Sequence, residues 1–176
     1  MPRFVCLLLL CACDDEGLFV IPAGQHDSGW QVDTFSGPTL SFRARFDGSA
    51  VYTTVDPTNQ GDINKLYGFS DCTAFHQDDS ARVGWRWYGG RLEAHAYTYA
   101  AGVRSSALLG ALRIGDWHDF EIVQDGPEYR FRLDGGPVMT QPRGCDGDGG
   151  VKYRLYQYFG GDEVAPHEVS IEIDAP

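Results

Sequence analysis

The sequence predicts an all-β protein, an antiparallel two-sheet sandwich of about ten strands. Three observations carry this reading. Residues 80–99 read SARVGWRWY-GG-RLEAHAYTY, two alternating runs joined by Gly89-Gly90, a strong signal for a two-residue hairpin turn. Aromatics form 13% of the 176 residues, alongside 22 glycines and 9 prolines, which suits short strands and many turns. Apolar residues recur with period two, and no long helical pattern is present.

The elements follow in order. Residues 18–22 open the series and 24–29 are loop. Thr39 to Phe46 alternates, with Leu40, Phe42, Ala44 and Phe46 on one side. Asp47-Gly48 is a turn, and residues 50–55 read as the returning hairpin partner. A Pro/Asn/Gly loop covers 56–62, a strand 64–70 and an acidic loop 71–79. Counting outward from Gly89-Gly90 then sets Trp87 against Leu92, Trp85 against Ala94, Val83 against Ala96 and Ala81 against Thr98. The other face sets Arg86 against Glu93, Gly84 against His95, Arg82 against Tyr97 and Ser80 against Tyr99. Large residues meet small ones on the first face, while the second carries arginine, histidine and tyrosine. Residues 103–112 suit a strand or a short helical turn. A hairpin around Asp125-Gly126-Pro127 joins 117–124 to 128–134. Glycine-rich residues 135–150 are mostly loop, and strands at 152–159 and 167–174 close a single domain spanning 18–176.

The N-terminus, MPRFVCLLLLCACDDE, reads as a short secretion signal over residues 1–12 that ends in a lipobox-like Leu-Cys-Ala-Cys. Cys13 is then the lipidated residue, residues 13–17 a polar tether, and the anchor attaches the protein to a membrane of the bacterial cell envelope. The alternative is a misassigned start or a buried N-terminal strand. Cys72 and Cys145 remain as one pair in an oxidising compartment, and a disulfide between them is expected. The alternative is two unpaired thiols. A net charge of −11 argues against a nucleic-acid partner. No Cys/His spacing suits zinc, and no cofactor motif is present.

The stretch from Trp117 to Val123, followed by Tyr129-Arg130-Phe131-Arg132-Leu133-Asp134-Gly135, resembles the Trp-His…Tyr…Asp-Gly hairpin of concanavalin A-like jelly rolls. The closing Val169–Asp174 stretch is similar to their final strand. That superfamily includes lectins, laminin-G-like domains, glucanases and polysaccharide lyases. The resemblance implies a jelly-roll sandwich whose concave sheet binds glycan chains, and it makes structural calcium compatible with the oxygen-rich loops 146–149 and 160–168.

The cationic face of the hairpin holds the first candidates: Arg82, Arg86, Glu93, His95, Tyr97 and Tyr99. Alternation in KYRLYQYF adds Arg154, Tyr156 and Tyr158 beside Lys152, and the strand at 64–70 adds Lys65 and Tyr67. His76 stands at the groove edge. Guanidinium groups pair with carboxylates or sulfates, and tyrosines stack on sugar rings, so a basic patch on an acidic protein suits an acidic polysaccharide. The alternative is internal pairing, as between Arg86 and Glu93. If the protein is an enzyme, β-elimination on a uronate glycan fits best: Arg82 would neutralise the carboxylate, and His95, Tyr97, Tyr156 and Tyr158 would supply base and acid. Gln157 joins them only if its strand faces the other way. Hydrolysis would need two carboxylates about 5–10 Å apart, which no run here supplies. A purely structural or adhesive lipoprotein is the third reading.

Overall fold

The computed structural model describes residues 15–29 and 31–175, with the side chains of Asp15 and Glu16 left aside. The signal and its lipidation residue Cys13 lie outside these residues. Among the described residues there are twelve strands: β1 (Asp15–Ile21), β2 (Thr34–Phe35), β3 (Thr39–Phe46), β4 (Asn64–Ser70), β5 (Ser80–Tyr88), β6 (Arg91–Ala100), β7 (Val103–Leu112), β8 (Trp117–Asp125), β9 (Glu128–Leu133), β10 (Met139–Pro142), β11 (Lys152–Leu155) and β12 (Val169–Ala175). They form two antiparallel six-stranded sheets, ordered β1-β12-β3-β8-β9-β10 and β2-β11-β4-β5-β6-β7. Trp85 is fully buried between them, its ring 5.2 Å from Phe46, 5.8 Å from Tyr52 and 6.3 Å from Phe159.

The hairpin β5–β6 pairs as the turn arithmetic requires, from Tyr88 with Arg91 to Ser80 with Tyr99. Gly89 and Gly90 both take positive φ, at 60° and 78°, as a tight two-residue turn demands. Residues 103–112 are strand, and β8–β9 form the expected hairpin.

Two strand expectations fail, one at a local turn and one through contacts with distant segments. Residues 50–55 do not pair with β3: the Asp47 carboxylate accepts the Ser49 N–H at 2.8 Å and caps a 3₁₀ turn, which diverts the chain. The places beside β3 go to β12 and β8. The predicted strand 152–159 stops at Leu155 and faces the opposite way. Residues paired directly across a sheet share a face. Arg154 pairs with Phe69, whose side chain is in the core, and Leu155 pairs with Gly68, which pairs in turn with Arg82. Lys152 and Arg154 therefore point inward. The Lys152 ammonium is buried, donating to Gly37 O (2.6 Å), Gln124 Oε1 (2.9 Å) and Asp148 O (3.2 Å).

Cys72 and Cys145 form the disulfide, which fits an oxidising compartment. It closes a sequence separation of 73 residues, so the chain-entropy relation gives it about 4 kcal/mol. Chemical denaturation with and without a reductant should show a stability loss of this order. Unchanged curves would mean that the neighbouring contacts hold the loop alone.

Candidate functional site

The outer face of the second sheet divides into two halves of opposite character. Toward the Gly89-Gly90 turn, the charges are paired with one another. Glu93 is 2% exposed and accepts from Arg86 Nε at 2.8 Å, Arg91 Nε at 2.7 Å and His95 Nε2 at 3.3 Å. Burial alone would raise the Glu93 carboxyl, but these partners outweigh it and hold the pKa below the ordinary value. Arg86 also donates to Gly61 O at 2.8 Å, and the Ile63 side chain covers Gly84, leaving only 2.4 Å to where a Cβ would stand. The space across from His95 is thus filled. Burial, then Arg86, push the His95 pKa down against the pull of Glu93.

Toward the other end, Arg82 and Lys65 have no carboxylate partner among the described residues. Arg82, Lys65, Tyr97, Tyr99, Tyr158 and His76 line a pocket of about 220 Å³, completed by Gln77 and Ser80. Arg82 is 8% exposed; its Nη2 donates to Tyr156 O at 2.5 Å, and its Nε has no partner. Burial lowers its pKa to about 10, with Tyr97, Tyr153 and Tyr99 opposing. Gly68 makes the arrangement possible, since a Cβ there would lie 2.2 Å from Ala81 O and 2.8 Å from Arg82 Cγ. The Lys65 ammonium sits 5.2 Å from the Tyr97 ring centre and 5.6 Å from that of Tyr158, in space that a Cβ on Gly160 would take. Burial, then Arg82 and Arg104, lower its pKa to about 8 against a weaker pull from Asp62. Burial and the Tyr99 hydroxyl raise Tyr97 to about 12.

His76 is held at the rim, where its backbone N–H donates to Tyr153 Oη at 3.0 Å. Burial, then Arg82, keep the imidazole below its usual pKa, so the ring is neutral at neutral pH. Arg104 pairs across from Tyr99 and adds a third cation that sequence reasoning missed. Its signal was available: counting back from the Ala101-Gly102 turn sets Tyr99 against Arg104, once residues 103–112 are read as strand.

Three further candidates lie outside the lining of this pocket. The ladder between β4 and β5 slips at Leu66, so Tyr67 pairs with Val83 and turns into the core, 3% exposed. Its hydroxyl accepts from Arg154 Nη1 at 2.7 Å. With Arg154 and Tyr156 it lines a separate cavity of about 820 Å³, where the Tyr156 hydroxyl bonds Asp33. Burial and Asp33 push the Tyr156 pKa up. In the loops considered for calcium, Glu163 accepts the Val55 and Asp56 N–H groups, each at 2.7 Å, and Asp148 accepts that of Gly150 at 3.0 Å. The only trio of possible ligands among the described residues is Asp71 with the disulfide cysteines, which is no cation site.

No protein-family model and no curated protein matches the sequence. Solved structures do. An alginate lyase from Klebsiella pneumoniae aligns at TM-score 0.56 and 12% identity, over 77% of this chain and 56% of that one. A Bacteroides ovatus GH16 protein from a mixed-linkage glucan locus, in complex with a product, aligns at TM-score 0.57 and 8% identity, over 91% and 79%. The alginate lyase AlyC3 in complex with dimannuronate aligns at TM-score 0.56 and 8% identity, over 93% and 74%. At these identities the likeness is one of fold, and the chain spans little more than half of the Klebsiella enzyme. The two six-stranded sheets and these neighbours agree with the hairpin resemblance: the chain has the concanavalin A-like jelly-roll fold.

Proposed function

We infer that the protein is an exported, lipid-anchored binder of an acidic polysaccharide, with a carboxylate seated between Lys65 and Arg82. The observation that carries this is Arg82, a guanidinium that is buried and, among the described residues, has no carboxylate partner and no acidic side chain lining its pocket. A buried cation is costly unless an anion accompanies it, and a ligand carboxylate supplies that anion. Tyr97, Tyr99 and Tyr158 provide the aromatic surface a sugar ring needs. One neighbour of the same fold holds dimannuronate, a uronate dimer.

The test is calorimetric titration with polyuronates, sulfated glycans and a neutral glucan at low and high salt. Affinity restricted to the anionic chains and weakening with salt is the expected result. Equal affinity for the neutral glucan would remove the assignment, and no affinity for any of them would leave the adhesive reading.

The pocket also sets a pH dependence. The Lys65 pKa lies near 8, so its charge is present below that value and lost as pH rises through it. Affinity should fall between roughly pH 7 and 9, and Lys65→Met should bind more weakly with a flat profile over that range. A bound anion will move the midpoint upward.

One observation favours a catalytic reading as well. Neutral His76 shares the pocket with Arg82, Tyr97 and Tyr158. In β-elimination it would accept the C5 proton of a uronate whose carboxylate rests on Arg82. The C4–O bond would break, a tyrosine hydroxyl would protonate the leaving oxygen, and a C4=C5 double bond would remain. The base would then be His76, since His95 is paired with Glu93 outside the pocket. Ultraviolet absorbance from unsaturated ends, lost in His76→Ala, is the expected signal. Its absence with every uronate chain leaves binding alone.

A further inference from the structure

Arg82 borders a second space. It lines both the 220 Å³ pocket and an adjoining cleft of about 430 Å³, and His76 and Tyr158 are shared in the same way. Three properties of that cleft have no structural use within the fold. Gln157 lines it at 2% exposure, with its Oε1 held by Ser28 Oγ at 3.3 Å and its Nε2 without a partner. Arg82 Nε, at the junction, is another buried donor without a partner. Buried donors are normally satisfied, so two on one cleft point to acceptors that arrive with a ligand.

Phe75 supplies the third property. It lines the cleft and is 78% exposed, yet its loop is braced by the Cys72–Cys145 disulfide and by Asp79 Oδ1, which accepts the Ala101 N–H at 2.9 Å. An exposed aromatic ring on a braced loop is a stacking platform with little conformational entropy left to lose. The Tyr158 ring that borders the cleft is backed by His26, whose ring lies 5.0 Å away and 6° from parallel.

We propose that this cleft is a second sugar subsite, in which the ring next to the one held by Lys65 and Arg82 stacks on Phe75 and offers oxygens to Gln157 Nε2 and Arg82 Nε. The inference rests on the acidic-glycan reading above. A continuous chain, rather than a separate small anion, is the occupant, because pocket and cleft share a wall and the cleft adds an exposed aromatic platform, while Arg154 on its lining is turned inward and donates to Tyr67 Oη at 2.7 Å. Asp27, the acid on its rim, is engaged by the Gly29 N–H at 3.0 Å. Subsite occupancy therefore makes affinity rise with chain length.

The experiment titrates mannuronate and oligomannuronates into the wild type, Phe75→Ala, Gln157→Leu and Arg82→Met, using ligand-observed NMR for the single ring and calorimetry for the oligomers. Phe75→Ala and Gln157→Leu should each weaken the oligomers about three- to tenfold and leave the single ring unchanged. Phe75→Trp should bind as the wild type. Gln157→Leu alters a buried position, so the exposed Phe75, where folding is not at stake, decides the matter. Oligomer affinity untouched by Phe75→Ala but lost in Arg82→Met overturns the subsite and leaves the glycan reading standing. Equal weakening of single ring and oligomer by Phe75→Ala also overturns it. If the wild type binds no oligomer, or Arg82→Met binds as well as the wild type, the glycan reading falls and takes the subsite with it.

Discussion

Arg82→Met should raise the melting temperature of the free protein by a few degrees while removing its affinity for an acidic glycan. The two effects have one cause. In the free protein Arg82 is buried beside Lys65, its Nε has no partner among the described residues, and its Nη2 donates to Tyr156 O. Replacing buried charge by an apolar side chain of similar volume is often neutral or stabilising by roughly 1–4 kcal/mol. The lost hydrogen bond offsets about 1 kcal/mol of that. Each remaining kcal/mol is worth roughly 2–4 °C for a domain of this size. In the complex the guanidinium has a carboxylate partner, and truncating one member of a desolvated charge pair costs about 2–5 kcal/mol, thirtyfold or more in affinity. Thermal melts and titrations on the same preparations measure both. A lower melting temperature would make Arg82 a structural tie between β5 and residue 156, and the site would lose its main support.

Breaking the pair Asp71–Arg143 should do the opposite and destabilise strongly. Both side chains are 0% exposed, and Arg143 Nε donates to Asp71 Oδ2 at 2.6 Å. Tyr129 Oη and the Cys72 N–H each donate to the same carboxylate at 2.8 Å. Arg143 Nη1 reaches Gly126 O at 3.0 Å and Gly147 O at 2.9 Å, tying the β8–β9 turn to the loop that carries Cys145. Removing one partner of such a pair costs about 3–5 kcal/mol because the other charge stays buried. Asp71→Ala should therefore lower the melting temperature by roughly 6–20 °C. Arg143→Met should do likewise, and the double variant should lose less than the sum. Burial alone would raise the Asp71 carboxyl, but Arg143 and Tyr129 outweigh it and the folded pKa is depressed. Its contribution is thus present above the ordinary carboxyl pKa and fades as pH falls through the folded value. Asp71→Asn should flatten the acid limb of a stability–pH curve; an unchanged limb would place acid sensitivity elsewhere.

Local pairing was legible in the sequence because it needs only alternation and a turn. The register of β5–β6, the hairpin β8–β9 and the two-sheet, all-β class follow from residues close together in the chain. So does the presence of arginine, histidine and tyrosine on one face of the hairpin. The sequence alone could not say which of those charges were already spent. Glu93 pairs with both Arg86 and Arg91, whereas Arg82 and Lys65 meet no carboxylate among the lining residues of their pocket. The direction of β11, the bulge that turns Tyr67 inward and the place of Phe75 beside Gln157 were likewise decided by contacts between distant segments. A period of two tells which side chains share a face. Which face meets the core, and which buried donors lack partners, are settled only when the two sheets close on each other.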